Sequence, residues 1–402
     1  MRALLLPALL TVGALALSSC GDPAAPSSGS SDGPIVIGTT LSLTGPLGSL
    51  GSLQKQGYEQ AVAWVNDDGG LDVDGTKRKV ELVVQDNQSD PNLASQQARA
   101  MVLKEGAVAL LGPCTPPITI PVAQAAEVQK VPMIATCTPV GAFAAGSETG
   151  WNSVFDMFFS EQDQATSAFE AFDGVDSNKK VAIFTDTEPD GIIERDLYKK
   201  AAEDAGYEVV GDYTFPVGTT DFAQFINDAK SNDADLVVAQ TIPPDGIALW
   251  KQMKALGLKP AAAFSAKAAV SGAWWDALKD TAEGTLTEGF WSPDADNAST
   301  DEIMDTLGKG ITNTPDLGIP VTSLAAAQVL LDAISAAGST TPADITDAIA
   351  ATDGDYPVGK VTFSDDHTFV TPHYVLQWSK GDATQVVPEA GQDVAAPTAG
   401  LE

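Results

Sequence analysis

The chain of 402 residues exceeds what a single hydrophobic core usually serves, so its length predicts two domains. Its 22 lysines and arginines against 54 aspartates and glutamates give a net charge of −32 at pH 7, and no basic cluster interrupts this acidity. Such a surface repels phosphate backbones, which excludes nucleic acid as a partner, while solubility explains the acidity without indicating any ligand.

The N-terminus has the pattern of a bacterial export signal. Arg2 precedes the apolar run Ala3–Leu17, which is short for a membrane span and typical of a signal peptide. The run ends in LSSC, which resembles the bacterial lipobox, and this implies that residues 1–19 are a signal peptide and that Cys20 is lipidated. A chance cysteine beside an ordinary signal peptide is the alternative. Residues 20–33 are typical of the flexible tether of an anchored domain. We expect no later segment to be long and apolar enough to cross a membrane.

Strands and helices alternate from residue 35 onward, which is the pattern of a doubly wound parallel sheet. The first half predicts a strand at Ile35–Leu43, a helix ending at Asp67–Gly70, a strand at Val80–Gln85, a helix at Ala94–Glu105, a strand at Val108–Leu111, a helix ending near Lys130 and a strand at Val131–Thr136. After an aromatic link, Trp151–Ser160, the second half predicts strands at Val181–Thr185, Glu208–Phe215, Ala234–Thr241 and Ala261–Ser265, with helices at Gly191–Ala205, Phe222–Ser231 and Gly246–Leu256. The second half thus repeats the architecture of the first.

Two neighbouring strands, Val108–Leu111 and Val131–Thr136, indicate where a ligand would bind. Both are continuous apolar runs, as strands covered on both faces are, and each stops at small and polar residues. The carboxyl ends of neighbouring parallel strands are where open α/β sheets hold their ligands. Cys114 and Cys137 follow these two ends, and adjacent strands lie about 4.8 Å apart, near the Cα separation of a disulfide. In an exported protein we expect the two cysteines to be bonded, and two buried free thiols are the alternative.

The pattern changes after Glu288-Gly289-Phe290-Trp291. It predicts helices near Asp301–Lys309, Val321–Ala337 and Pro342–Ala351, then a final hairpin of Val361–Phe363 with His373–Trp378. The residues beyond Val387 are typical of a loose tail.

The sequence lacks the patterns of common catalytic sites. Its two histidines, His367 and His373, have no partners at metal-ligand spacing, and neither a G-x-S-x-G elbow nor a P-loop is present. We therefore expect no enzyme, no cofactor and no metal site.

A family resemblance runs from Ile35 to about Trp378. It is carried, in order, by LSLTGPLGSLG (Leu41–Gly51), QGYEQAVAWVNDDGGL (Gln56–Leu71), VVQDNQSDPNLA (Val83–Ala94), ALLGPCTP, VPMIATCTP, ADLVVAQ and EGFW. Together they resemble the type I periplasmic solute-binding proteins of the leucine/isoleucine/valine-binding kind, which feed ABC importers. The resemblance implies an α/β fold of two doubly wound parallel-sheet lobes with a ligand cleft between them.

The resemblance also implies how the chain is divided. It places lobe 1 at residues 34–155 plus 293–361, lobe 2 at 160–287 plus 366–385, and a loose tail at 388–402. Three segments would cross between the lobes, near Phe155–Ser160, Glu288–Pro293 and Val361–Asp366. Hinge closure around the ligand is the expected motion.

The implied role is that of an extracytoplasmic lipoprotein, anchored to the bacterial cell membrane through Cys20. It would bind a small amino acid or organic acid and deliver it to an ABC permease, acting as a monomer. A ligand-sensing module that reports to a signalling partner is the alternative.

Nine positions are carried over as candidate ligand-binding residues: Thr44, Leu50, Thr115, Pro116, Thr138, Phe158, Asp190, Ile242 and Lys267. Family members that bind amino acids have an acidic residue for the α-ammonium group where this chain has Ala266-Lys267. A lysine beside the cleft favours an anionic ligand group, so we hypothesise a ligand with a carboxylate and no ammonium. A Lys267 that points to water is the alternative.

Overall fold

The structure is a computed structural model that describes residues 33–293 and 297–387. The predicted signal peptide, the lipidation residue Cys20, nearly all of the tether and the tail at 388–402 lie outside the described residues. The residues from Pro34 onward form one compact unit.

The first part of this unit alternates strands and helices as predicted. Its elements are β1 (Ile35–Leu41), α1 (Gly48–Asp67), β2 (Leu71–Val73), β3 (Thr76–Arg78), β4 (Val80–Asp86), α2 (Pro91–Lys104), β5 (Ala109–Leu111), α3 (Pro116–Gln129), β6 (Met133–Ala135), α4 (Val140–Ala145) and β7 (Val154–Phe158). The start of α2 shows how local interactions fix the point at which a helix begins. The Asp90 side chain accepts hydrogen bonds from the N–H groups of Asn92 and Leu93, and Pro91 occupies the first turn.

The second part repeats the alternation. Its elements are α5 (Glu161–Asp173), β8 (Lys180–Asp186), α6 (Pro189–Asp204), β9 (Glu208–Phe215), α7 (Ala223–Ser231), β10 (Leu236–Gln240), α8 (Pro243–Leu256), β11 (Ala262–Ala266), α9 (Gly272–Leu278) and β12 (Leu286–Gly289). The C-terminal part adds α10 (Thr300–Thr306), α11 (Pro315–Ala337), α12 (Pro342–Ala350), β13 (Gly354–Tyr356), β14 (Gly359–Val361), β15 (Thr368–Val370), β16 (Tyr374–Ser379) and β17 (Asp382–Gln385).

Two large sheets organise these elements. The first has the order β15-β7-β6-β5-β1-β4, and all of its pairs are parallel. The second has the order β17-β16-β12-β11-β10-β8-β9, parallel from β9 to β12 and antiparallel at β16 and β17. The prediction of two doubly wound α/β lobes is confirmed. In each lobe the strand order reverses at one strand, β1 and β8, which opens a crevice at the carboxyl ends of the strands.

The chain passes between the two sheets three times: from β7 to α5, from β12 to α10, and from β15 to β16. The third crossing was predicted at Val361–Asp366, and this is wrong. Strand β15 pairs in parallel with β7 of the first sheet, and β16 then enters the second. Residues 368–370 thus pair with the first sheet, although the predicted second lobe began at residue 366.

The predicted final hairpin is also wrong. Val361 belongs to β14, which pairs with β13 in a separate two-stranded sheet, and β16 forms its hairpin with β17. The hairpin of β16 with β17 follows from its turn residues Lys380 and Gly381, because both adopt positive φ, as a tight hairpin turn requires. Helix α5 was not predicted, since its buried face begins with the polar residues Glu161 and Gln164, which obscure the helical period.

The longest helix of the described residues lies inside the first lobe. Among the described residues, α11 is the helix long and apolar enough to cross a membrane by length and composition, and 89% of its apolar window is buried in the protein. The expectation that no segment after the N-terminus has such a composition is therefore wrong. The burial of α11 is that of a core helix, and it packs along α1 with Val321, Leu324 and Leu331 in one apolar cluster.

The close contact between α1 and α11 depends on Gly57. A Cβ atom at this position would lie 2.0 Å from the carbonyl oxygen of Pro320 and 2.8 Å from the backbone nitrogen of Leu324. We expect Gly57→Ala to force the helices apart and to lower the free energy of unfolding by about 1–3 kcal/mol. Urea unfolding followed by circular dichroism measures the change. The control is Gln56→Ala, an exposed neighbour on the same helix, and equal midpoints for the two variants would contradict the expectation.

Candidate functional site between the two sheets

A cavity lies where the carboxyl ends of the two sheets face each other. It is lined by Leu50, Thr115, Pro116, Cys137, Pro139, Phe158, Phe159, Gln164, Asp190, Glu194, Gln240, Lys267, Val270, Glu288, Phe290 and Ile319. Its volume of about 30 Å³ is far below the roughly 300–1,000 Å³ of typical ligand pockets. The two lobes are therefore close together here, and a larger ligand must enter while they stand further apart.

The wall from the first lobe is apolar and stiff. Cys114 and Cys137 form a disulfide across β5 and β6 with a Cα separation of 4.8 Å, as predicted. Closing a loop of this size stabilises a fold by roughly 3 kcal/mol on the chain-entropy model. Thr115 adopts a positive φ of 70° and donates its N–H to the Cys137 carbonyl at 3.0 Å. Helix α3 then begins with Pro116 and Pro117, which have no N–H to offer a ligand.

Leu50 reaches this wall because α1 is fixed to the end of β5. Gln54 and Tyr58, one and two turns along α1, both donate to the carbonyl oxygen of Gly112, at 2.9 and 2.7 Å. Both side chains are fully buried. The hydrogen bonds set the helix start, and Leu50 with it, at the edge of the sheet.

An aromatic group closes the side of the cavity at the crossing segments. Phe158 ends β7, Phe159 follows it, and Phe290 follows β12, with ring centroids 4.6–5.5 Å apart. Contacts at these distances favour offset or tilted rings and hold all three in place. They present an apolar surface to any ligand between the lobes.

The wall from the second lobe is built around Lys267. The side chain is 8% exposed, and its ammonium donates to Glu188 at 2.5 Å and to Asp190 at 2.8 Å. Burial alone would lower the pKa of Lys267, but the carboxylates of Asp190, Glu188 and Asp186 raise it above its ordinary value. Lys267 is therefore a buried cation, and the alternative in which it points to water is wrong.

The same three carboxyl groups could in principle hold a metal ion. The ligand atoms of Asp186, Glu188 and Asp190 all lie within 4.8 Å of one another. Carboxylates at this spacing suit a hard divalent cation. The ammonium of Lys267 already supplies positive charge to two of them.

Glu288 connects the second-lobe wall to the crossing segments. One oxygen accepts the backbone N–H of Lys267 at 2.7 Å, and the other accepts from the amide of Gln164. The same oxygen lies 3.7 Å from Nε2 of His373. Glu288 is thus held on three sides by groups from different elements.

Glu194 is the least satisfied group in the cavity. It lies one turn after Asp190 on α6, its exposure is 0%, and neither carboxyl oxygen has a hydrogen-bond partner within the described part of the chain. Burial raises the pKa of Glu194 well above its ordinary value, and the carboxylates of Asp190 and Glu288 add to the effect. Both causes favour the protonated form of Glu194 over its carboxylate.

The structure brings six of the nine candidate residues to the cavity: Leu50, Thr115, Pro116, Phe158, Asp190 and Lys267. The other three do not line it. Thr44 is exposed and donates to Asp86, Thr138 donates to the hydroxyl of Thr119, and Ile242 packs in the apolar cluster beside the disulfide. Their assignment to ligand binding stays a prediction.

Several residues that line the cavity were not predicted, although the sequence contains features from which two of them could have been predicted. Glu194 follows Asp190 by four residues, so on a helix both lie on one face. Gln240 ends the strand β10, where ligand groups of α/β sheets are expected. Gln164 and Ile319 lie on α5 and α11 and reach the cavity only through the tertiary packing of these helices.

Two doubly wound lobes with a cavity between their strand ends are the architecture of a two-lobed solute-binding protein. The sequence model of the periplasmic binding protein family matches residues 34–383. The chain belongs to this family of extracytoplasmic solute-binding proteins and is not an enzyme.

Individual relatives agree with this assignment. A Leu/Ile/Val-binding protein, BraC3 of Rhizobium johnstonii, is 28% identical over 356 residues, covering 86% of this chain and 92% of the relative. Two solved structures share the fold. The substrate-binding protein LivJ of Streptococcus pneumoniae, in complex with isoleucine, has a TM-score of 0.75 at 21% identity over 87% of this chain and 97% of its own. A solute-binding protein of R. palustris, in complex with benzoate, has a TM-score of 0.74 at 21% identity over 91% and 97%.

The buried carboxyl groups predict an unusual pH dependence. Burial is the main cause that raises the pKa of Asp186 from 3.8 to about 7. An acid whose pKa is raised in the folded state stabilises the fold below its unfolded pKa, and this contribution is lost as pH rises through the folded pKa. We expect the stability of Asp186→Asn relative to the unmodified protein to increase between about pH 4 and pH 8, by on the order of 1–3 kcal/mol.

Urea unfolding at several pH values measures this difference. Asp196→Asn, an exposed carboxyl on α6, is the matched control and should change little. A constant difference between Asp186→Asn and the unmodified protein across the whole range would contradict the assignment.

Proposed function

We propose that this chain is the extracytoplasmic substrate-binding lipoprotein of an ABC importer, and that it binds a small amino acid or organic acid between its lobes. The cavity supports this proposal, because an apolar wall from one lobe faces a polar wall from the other. A ligand with an apolar body and a polar end would bury both against matching surfaces.

The relatives support the same two ligand classes. One solved neighbour was found with isoleucine and another with benzoate, and both ligands combine a compact apolar body with a carboxylate. The apolar residues here, with Phe158, Phe290, Leu50 and Ile319 among them, offer an apolar surface to either kind of body. A small ligand is also what a small cavity accepts.

We propose that the lobes open and close by a hinge, with lobe 1 near residues 34–155 plus 293–361 and lobe 2 near 160–287 plus much of 366–385. Hydrogen bonds between the lobes support a closed state: Gly272 donates to Asp316 at 2.9 Å, and the Thr314 N–H donates to Asp382 at 2.6 Å. A ligand that contacts both walls would favour this state over an open one.

Transport is the role that we favour over sensing. The protein would hand its ligand to a permease and act as a monomer. The match to a binding-protein family over residues 34–383 supports this role. A sensory module would use the same cleft, and it would be recognised by a signalling partner that binds the closed form of the protein.

The anchor is part of the same proposal. We expect Cys20→Ser to move the protein from the membrane fraction to the soluble extracytoplasmic fraction of its bacterial host, because one lipidated residue holds the chain. Fractionation followed by immunoblotting measures this. Cys114→Ser is the control, because it also removes a cysteine but should leave the protein on the membrane. Retention of Cys20→Ser in the membrane fraction would contradict the anchor.

The cleft itself is tested by filling it. Leu50→Trp adds volume to a cavity of about 30 Å³ and should abolish binding of any small ligand. Leu103→Trp, at a side chain that is 75% exposed, is the control. Thermal shift and calorimetry with leucine, isoleucine, phenylalanine and benzoate measure binding, and circular dichroism checks folding.

We expect the unmodified protein and Leu103→Trp to bind at least one of these compounds and folded Leu50→Trp to bind none. If a folded Leu50→Trp variant binds as tightly as the unmodified protein, the ligand site lies elsewhere.

A further inference from the structure

The atoms without partners on the second-lobe wall of the cavity are carboxyl and amide oxygens. Asp190 Oδ1, both carboxyl oxygens of Glu194 and Gln240 Oε1 lack hydrogen bonds among the described residues, and each side chain is at least 98% buried. The orientation of the Gln240 amide is set by its nitrogen, which donates to Asp190 at 3.2 Å. Buried polar atoms in native proteins are almost always satisfied, so this group, which consists of acceptors once Glu194 is ionised, points to a ligand that brings donors.

Donors that could hold a ligand carboxylate are scarce. Within the described residues, Lys267 is the cationic side chain that lines the cavity, and its ammonium already binds Glu188 and Asp190. On the opposite wall, the N–H of Thr115 is donated to Cys137, and Pro116 has none. The hydroxyl of Thr115, which has no partner in the described part of the protein, is the side-chain donor that remains on this wall.

The charged side chains that line the cavity also favour a ligand that brings donors over one that brings a carboxylate. Asp190, Glu194 and Glu288 line it together with one cation, Lys267. An anionic ligand group would lie against a wall with more acids than bases, and a buried charge without a partner is costly. A cationic group would instead complete the partners of Asp190 and Glu194.

We propose that the cleft recognises its ligand by a cationic amino group, received by Glu194, Asp190 and Gln240, and that a ligand carboxylate contributes little. This rests on the proposed function and selects amino acids over organic acids. It further extends the ligand class to small primary amines that have the same apolar body. Lys267 then acts as an internal counter-ion that positions Asp190, and not as the receptor of a ligand anion.

The state of Glu194 gives the proposal a second signature. The charged groups around it are Asp190 on its own helix, Glu161 on α5, Glu288 on β12 and Lys267 after β11. A ligand cation beside Glu194 favours its ionised form. Because burial favours the protonated form of Glu194, this ionisation releases its proton to the buffer, so binding of an amine is accompanied by proton release and strengthens as pH rises. A carboxylate ligand would instead need Glu194 protonated and would bind more weakly as pH rises.

The experiment uses ligands that differ by one group. Leucine is compared with isopentylamine, which lacks the carboxylate, and with isocaproate, which lacks the amino group. Phenylalanine, phenethylamine and hydrocinnamate form a second series with a flat body. Calorimetry on the full mature protein measures affinity, and the same titration in buffers of different ionisation enthalpy measures proton release.

Glu194→Gln is the test variant, since it keeps the shape and removes the charge. Glu203→Gln removes an equal charge from an exposed position on the same helix and is the matched control. A hydrogen bond to a charged group is worth about 1.5–3 kcal/mol, so Glu194→Gln should weaken the amino-bearing ligands by roughly 10- to 100-fold. Glu203→Gln should bind them like the unmodified protein. Asp190→Asn provides a second variant that should also weaken them if Glu194→Gln does not fold.

The outcomes separate this inference from the proposed function. Binding of one amino acid and of its amine within about tenfold of each other, with proton release and without binding of the acids, supports the inference. If the acids bind and the amines do not, or if folded Glu194→Gln keeps full affinity for the amines, the inference is overturned while the proposed function stands. If no compound of either series binds, both fail.

Discussion

The buried ammonium of Lys267, held between Glu188 and Asp190, is the interaction on which the second-lobe wall depends. It brings together carboxyl groups from the loop after β8 and from the start of α6, which would otherwise repel one another. A buried charge is tolerated only when it is paired, so the lysine and the two acids require each other. Because Lys267 is thus neutralised from within the protein, it does not make the cleft attractive to anions.

The first-lobe wall follows a different constraint. The disulfide joins the ends of β5 and β6, and the two prolines at the start of α3 remove the N–H groups that a helix terminus would normally present. The result is a rigid, donor-poor surface opposite an acceptor-rich one. The chemistry of recognition therefore lies in the second lobe, while the first supplies shape and apolar contact.

Local patterns predicted elements well where one face of a helix or strand decided the outcome. The predicted strand Glu208–Phe215 matches β9 in full, and the predicted end of α3 agrees within one residue. Predictions were wrong where a strand pairs with another strand that is distant in the sequence. The pairing of β15 with β7 joins residues about two hundred positions apart, and no local period indicates it. Helix α5 was missed because contacts from other elements bury a face that the sequence alone does not mark.

The sequence by itself determined the alternation of strands and helices, the paired strand ends and the cysteines that bond there. These follow from local periodicity and from the fact that parallel strands end at one edge of a sheet. Only the tertiary structure decided the charge of the cleft. The sequence shows a lysine after a predicted strand end, but whether Lys267 meets a ligand, water or Asp190 depends on which distant side chains lie within hydrogen-bond reach. That distance is set by the packing of α6 against the second sheet, because electrostatic partners are neighbours in space and not along the chain.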